Sequence, residues 1–201
     1  MIKFSSNLLF LLVVASLLGA CGYQPIKLNY ADIALKREID VTIESIIVGP
    51  AAKDTGGLIK SIKNTKPSDD DNRIYQVKAH TIYPTYPKWN AILESAISES
   101  GIFNSKSNNK LALRVTALEI KYPGWGGNYP TDITARYELI DTSSSKIIFS
   151  TTIKSHAQSE PFAYLGGHHR WMEAMNRTIN KNVKLFIEEL LKSNTFKSYS
   201  S

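Results

Sequence analysis

The chain predicts an α+β fold: an antiparallel β-sheet of about four strands with two amphipathic helices packed on one face, in the order β-α-β-β-β-α. Three observations carry this expectation. Apolar residues alternate in stretches around Ile43, Leu113, Ala135 and Phe149. Apolar residues recur at helical spacing in two others, Trp89–Ile97 and Met172–Leu190. Short turn signals link the last three strands, and helical sequence stands on either side of that group. One apolar sheet face then covers both helix stripes.

The elements follow in order. Val41, Ile43 and Ile46-Ile47-Val48 form a strand that Gly49-Pro50 ends. Residues 51–72 hold Gly56-Gly57, Pro67 and Asp69-Asp70-Asp71 and have loop composition, with a short element near Leu58–Ile62. The aspartates lack the spaced oxygen ligands and turning glycine of a calcium loop, so they read as a solvated run. Ile74, Tyr75, Val77, Ala79 and Ile82 mark an extended segment, which the prolines of Tyr83–Pro87 break. Pro87 suits the first turn of a helix carrying Trp89, Ile92, Leu93, Ala96 and Ile97, and Gly101 suits its stop. Leu111, Leu113, Val115 and Ala117 alternate, then Leu118, Ile120 and Tyr122 continue in the opposite phase, which predicts a bulge at Ala117-Leu118. The loop Pro123–Pro130 leads to Ile133, Ala135, Tyr137 and Leu139, and Asp141–Ser145 turns the chain into Ile147, Phe149, Thr151 and Ile153. The last helix runs from about Gly167 to Lys192, with Met172, Met175, Ile179, Val183, Phe186 and Leu190 spaced 3-4-4-3-4.

The N-terminus assigns a location. Lys3 precedes the apolar run Leu8–Leu18, a stretch of signal-peptide length and short of the ~20 apolar residues a membrane span needs. Leu18-Gly19-Ala20-Cys21 follows at once, and Cys21 is the only cysteine of the chain. This resembles the lipobox of bacterial lipoproteins. The resemblance implies a diacylated Cys21 thiol, cleavage before that residue and acylation of the new N-terminus. Several acyl chains, each buried CH₂ worth ~0.8 kcal/mol, make such an anchor permanent. Gly22 in place of Asp resembles the outer-membrane sorting pattern, so the expected site is the outer membrane, on its periplasmic face. A lipidated Cys21 leaves no disulfide, and packing alone holds the fold. The expected organisation is a signal peptide over 1–20, an anchor and tether over 21–39, one domain over 40–193, and a polar tail over 194–201.

Asn90–Phe103, Leu113–Ile120, Ala135–Thr142 with Lys146–Phe149, and Asn176–Leu190 with Asn182 and Phe186 carry a wider likeness. From Trp89 onward the chain resembles a group of small proteobacterial outer-membrane lipoproteins, which implies the same fold and location. Some of that group bear the label UDP-N-acetylglucosamine acyltransferase, an enzyme type built on a hexapeptide-repeat β-helix. No such repeat is present. The element order and the mature start Cys21-Gly22-Tyr23 are also similar to the lipopolysaccharide-assembly lipoprotein that plugs an outer-membrane barrel.

Composition and motifs narrow the function. At 43% hydrophobic residues the 201-residue chain can build a core. The net charge of +6 is spread along the sequence without a run of five or more like charges, which speaks against nucleic acid as a partner. His168-His169 precede the last helix, but adjacent helical residues point ~100° apart and rarely share one ion. No nucleophile elbow and no phosphate loop occur, and Gly124–Gly127 does not open a helix. The sequence therefore predicts no metal, no cofactor and no catalytic set. Its contact candidates are aromatic: Tyr122, Trp125 and Tyr129 around flexible glycines, then Tyr83 and Tyr86 with Trp89, then Phe162, Tyr164 and Trp171. The expected partners are the membrane, through Cys21, and an envelope protein or lipopolysaccharide. The functional expectation is a non-enzymatic interaction or structural module. The alternatives are a lipopolysaccharide or barrel assembly factor, or an envelope acyltransferase or hydrolase using His168 or His169 with Glu160.

Overall fold

The computed structural model describes residues 38–51, 85–122, 129–160 and 167–196. Strand β1 spans Thr42–Pro50, helix α1 Thr85–Ser100, β2 Lys110–Lys121, β3 Thr131–Asp141, β4 Ile147–Ala157 and helix α2 Gly167–Lys192. The β-α-β-β-β-α order is the expected one, and the strands lie side by side as β1-β2-β3-β4. The sheet is mixed. β2–β3 and β3–β4 are antiparallel hairpins, but β1 pairs parallel to β2. The reason is in the connection: a long crossover carrying α1 returns the chain to its starting end, so β2 runs the same way as β1.

Local chemistry sets the boundaries. Gly101 adopts φ 58° just past α1, the left-handed stop that a glycine supplies without steric cost. The register of β2 on β3 shifts between Ala117 and Glu119, where the apolar phase slips. At the β3–β4 turn the Asp141 carboxylate accepts from the backbone N–H of Ser143 at 2.7 Å and of Ser144 at 3.0 Å. Hydrogen bonds from Ser143 and Ser144 hold that carboxyl below the usual aspartate range. Two boundaries differ from the sequence expectation. Ile39, placed in the tether, is buried and donates its N–H to the Ile102 carbonyl at 2.8 Å. Phe196, placed in the polar tail, is fully buried, its ring 6.0 Å from Phe149. An isolated apolar residue beyond a helix shows no period, so sequence patterning does not detect it.

Both helices lie on one face of the sheet and touch each other. Leu113, Val115, Ala135 and Leu139 meet Trp89 and Leu93 of α1 and Ile179 and Val183 of α2 in a single core. Within it Tyr137 stacks on Phe186, centroids 4.3 Å apart at 11°. The Tyr137 hydroxyl donates to Asn182 Oδ1 at 2.7 Å, and Asn182 Nδ2 donates to Ser155 Oγ at 2.9 Å. Ser155 in turn donates to the Thr178 carbonyl at 3.1 Å. On the opposite face, Arg114 and Glu138 face each other across the β2–β3 ladder and bond at 2.7 Å. Ala112 and Ile140 are buried beside them.

Tyr137→Phe strands the Asn182 acceptor and is expected to cost about 1–3 kcal/mol. Asn182→Ala, which removes the acceptor of the Tyr137 hydroxyl and opens a cavity, should cost about 2–4 kcal/mol. Urea midpoints at unchanged m-value measure both, and equal stability of Asn182→Ala and wild type would exclude the role given to this side chain. The Asp141 turn contributes its stabilisation in full above the ordinary aspartate pKa and loses it as pH falls through the lowered folded value. Asp141→Asn is therefore expected to flatten the acid limb of a plot of denaturation midpoint against pH.

Candidate interaction surface

The strand directions give the domain two chemically distinct ends. β1, β2 and β4 finish at one end with Pro50, Lys121 and Ala157, where α1, β3 and α2 begin. At the other end the chain arrives at Ile39, which bridges Phe103, and the Asp141–Lys146 turn closes over it through Thr142 N–H to the Lys110 carbonyl at 3.2 Å. The described chain therefore enters the domain, at Glu38 and Ile39, at the end opposite the helix N-termini.

The end at which the helices begin carries an aromatic and cationic cluster on the first turn of α2. Tyr122, at the end of β2, lies 5.6 Å from the Trp171 ring. His168 lies 5.8 Å from Trp171 and 5.9 Å from His169. The Arg170 guanidinium sits over the Tyr129 ring at 5.8 Å, within cation–π range. Tyr129 takes φ 42°, an uncommon conformation for a residue with a bulky side chain. Its hydroxyl rests so close to Gly167 that an added Cβ there would approach to 2.6 Å. The first turn of α2 holds no acidic residue, so the helix dipole and Arg170 both add positive potential.

Of the residues singled out from sequence, Tyr122 and Tyr129 come together here, both half-buried. Trp171, assigned to a separate patch, joins them because α2 starts where β2 ends. Tyr86 belongs elsewhere. It is 6% exposed, its hydroxyl has no partner, and burial pushes that hydroxyl up to about 12. Cys21, Tyr83, Trp125, Phe162 and Tyr164 lie outside the described residues. Arg170 was not singled out from sequence. The signal was available, since Gly167-His168-His169-Arg170 places an arginine where helices favour acidic residues. Glu160, considered with the histidines for acid–base work, is instead bound by Arg177 at 2.9 Å, which also holds Glu173 at 2.7 Å.

A polar depression of about 450 Å³ lies nearby, lined by residues that include Lys121, Asp132, Lys154, His156 and Lys181. Within it the His156 ring lies 2.9 Å from Asp132 and Lys121 meets Glu119 at 2.7 Å. Among the described residues no group of three His, Cys, Asp or Glu is placed to hold a metal ion. No described helix is long and apolar enough to cross a membrane.

The described residues thus form an α+β domain whose mixed sheet carries two helices on one face and an aromatic, cationic cluster at one end. No family model matches the chain, and no curated protein matches it. Among solved structures, a DUF330-family protein from Xanthomonas campestris aligns with a TM-score of 0.41 at 14% identity, over 79% of this chain and 89% of its own. PelC from Paraburkholderia phytofirmans, a dodecamer, gives 0.39 at 16% identity, over 78% and 92%. A minor lipoprotein from Acinetobacter baumannii gives 0.38 at 10% identity, over 73% and 91%.

Gly167→Ala pushes on the Tyr129 hydroxyl, the far tip of a rotatable side chain. Stability should change by no more than about 0.5 kcal/mol, while the nuclear Overhauser contact between the Tyr129 ring and residue 167 disappears. A loss of several kcal/mol would mean that Tyr129 is held rigidly.

Proposed function

We propose that the chain is a bacterial outer-membrane lipoprotein, acylated on Cys21. We further propose that its folded domain is a non-enzymatic docking module for an envelope protein. The anchor reading rests on Lys3, the apolar run Leu8–Leu18, Gly19-Ala20 and the lone Cys21. Gly22 supports the outer membrane over the inner. The docking reading is carried by one observation: Tyr122, Tyr129, Arg170 and Trp171 sit together at the end of the domain away from Ile39. A chain tethered ahead of Ile39 presents that cluster away from the lipid. Aromatic and arginine side chains are the groups that most often anchor protein interfaces. A second reading, a lipopolysaccharide or barrel assembly factor, is favoured by the start Cys21-Gly22-Tyr23 and by the cationic first turn of α2, which suits an anionic partner.

Two experiments separate these statements. Cys21→Ser should leave an unprocessed or soluble product; membrane fractionation at the processed size would rule out the anchor. A photo-crosslinking residue at position 129 should give a discrete envelope-protein adduct in living cells, absent when the probe sits at position 146 and lost in Trp171→Ala. Equal adducts from both ends would exclude the docking reading. Raised outer-membrane permeability on depletion would favour the assembly role.

A further inference from the structure

The polar depression lies on the sheet face away from the helices, at the end where β2 and β4 finish and β3 begins. The register sets two rows across these three strands. Lys121, Asp132 and His156 are aligned in the first, and Glu119, Thr134 and Lys154 in the second. Residues aligned across a ladder share a face, and all six line the depression, joined by Lys181 of α2. The β-bulge builds it. Up to Ala117 the odd-numbered residues of β2 enter the core; past the register shift between Ala117 and Glu119 the even-numbered ones do. The slip thus turns Ile120 and Tyr122 onto the core and delivers Glu119 and Lys121 to the other face. Bulges re-aim side chains in this way and are frequent beside functional sites.

The depression holds surplus positive charge. Three ammonium groups line it against two carboxylates. Glu119 holds Lys121 at 2.7 Å, and the Asp132 carboxylate lies 2.9 Å from the His156 ring. Lys181 reaches from α2 to β4, where its ammonium donates to the neutral His156 carbonyl at 3.2 Å. Among the described residues, Lys154 has no ion pair and no side-chain hydrogen bond. The ammonium groups of Lys154 and Lys181 therefore stand on the β4 side without a counter-charge, and such an arrangement attracts an anion.

We propose that this depression binds a phosphate monoester carried on a small, hydroxyl-rich molecule, a phosphorylated sugar or polyol. Lys154 and Lys181 take the phosphate. An ammonium is a compact point charge and holds phosphate without the planar fork by which arginine matches a carboxylate. Among the described residues no arginine lines the depression. The two carboxylates serve the carrier: ionised Glu119 and Asp132 are acceptors, so ligand hydroxyls donate to them, and the Thr134 hydroxyl adds a neutral partner. A bare ion would leave these groups unused. The volume of about 450 Å³ lies in the range that holds small organic ligands. The inference uses neither Cys21 nor the aromatic cluster, so it stands apart from the anchor and docking readings.

Titration of the full-length protein in detergent with glucose 6-phosphate tests it, read by the backbone amide shifts of Lys154, His156 and Lys181. Saturable shifts are expected at these residues. Inorganic phosphate should bind roughly fivefold more weakly, for want of the hydroxyl contacts, and glucose should produce no shift. Lys154→Gln with Lys181→Gln should weaken glucose 6-phosphate about tenfold or more. Both side chains are exposed, so the fold is retained, and Lys106→Gln at the far end should change nothing. Nanodiscs carrying phosphatidylinositol 4-phosphate distinguish the source: shifts stronger with the discs than with glucose 6-phosphate assign the phosphate to a lipid headgroup, and the reverse assigns it to a soluble molecule. No shift with either probe would overturn the proposal. So would binding untouched by the double lysine variant, or glucose 6-phosphate held no tighter than inorganic phosphate.

Discussion

Asn182 sits on α2 with no contact to solvent, and a buried amide must find partners where it lies. It finds them on two neighbouring strands: the Tyr137 hydroxyl on β3, and the Ser155 hydroxyl and Ile153 carbonyl on β4. An apolar stripe such as Met175, Ile179, Val183 and Phe186 can slide or roll on a sheet at modest cost, because dispersion contacts are not directional. A hydrogen-bonded amide cannot. The amide thus sets the one height and rotation of α2 on the sheet, and the Tyr137–Phe186 stack and the packing of α1 follow from it.

The same seating aligns the first turn of α2 with the end of β2. Trp171 meets Tyr122, and Gly167 meets the Tyr129 hydroxyl, only because the helix is fixed further along at Thr178 and Asn182. Arg177 adds a second tie by gripping Glu160 on the chain leading into the helix and Glu173 on the helix itself. The surface cluster is therefore a product of the core network. Its positive potential persists because no carboxylate stands in that first turn to offset the helix dipole.

Much of the fold was legible because local rules decided it. The two helices, Gly101 as a stop, the Asp141 turn and the Ala117–Glu119 bulge each depend on neighbours in sequence, where periodicity and turn chemistry are informative. The parallel pairing of β1 was not legible in the same way, since it depends on where a distant strand is delivered. Ile39 and Phe196 were lost for a related reason: each is an isolated apolar residue whose partners, Ile102 and Phe149, lie far off in sequence. The surface cluster was half legible. The aromatic residues stand out by type, but the meeting of Tyr122 with Trp171 is a tertiary fact, and Tyr86 shows that an aromatic beside prolines can turn inward.

The parallel alignment of β1 on β2 bears on force. A pull on Ile39, with the opposite end of the domain held, acts along the axis of β1. The hydrogen bonds of that ladder lie across the direction of load, so all of them must stretch at once before any breaks. An antiparallel hairpin pulled at its open end unzips one bond after another. The chain thus meets tension applied at Ile39 through its mechanically stiffer geometry.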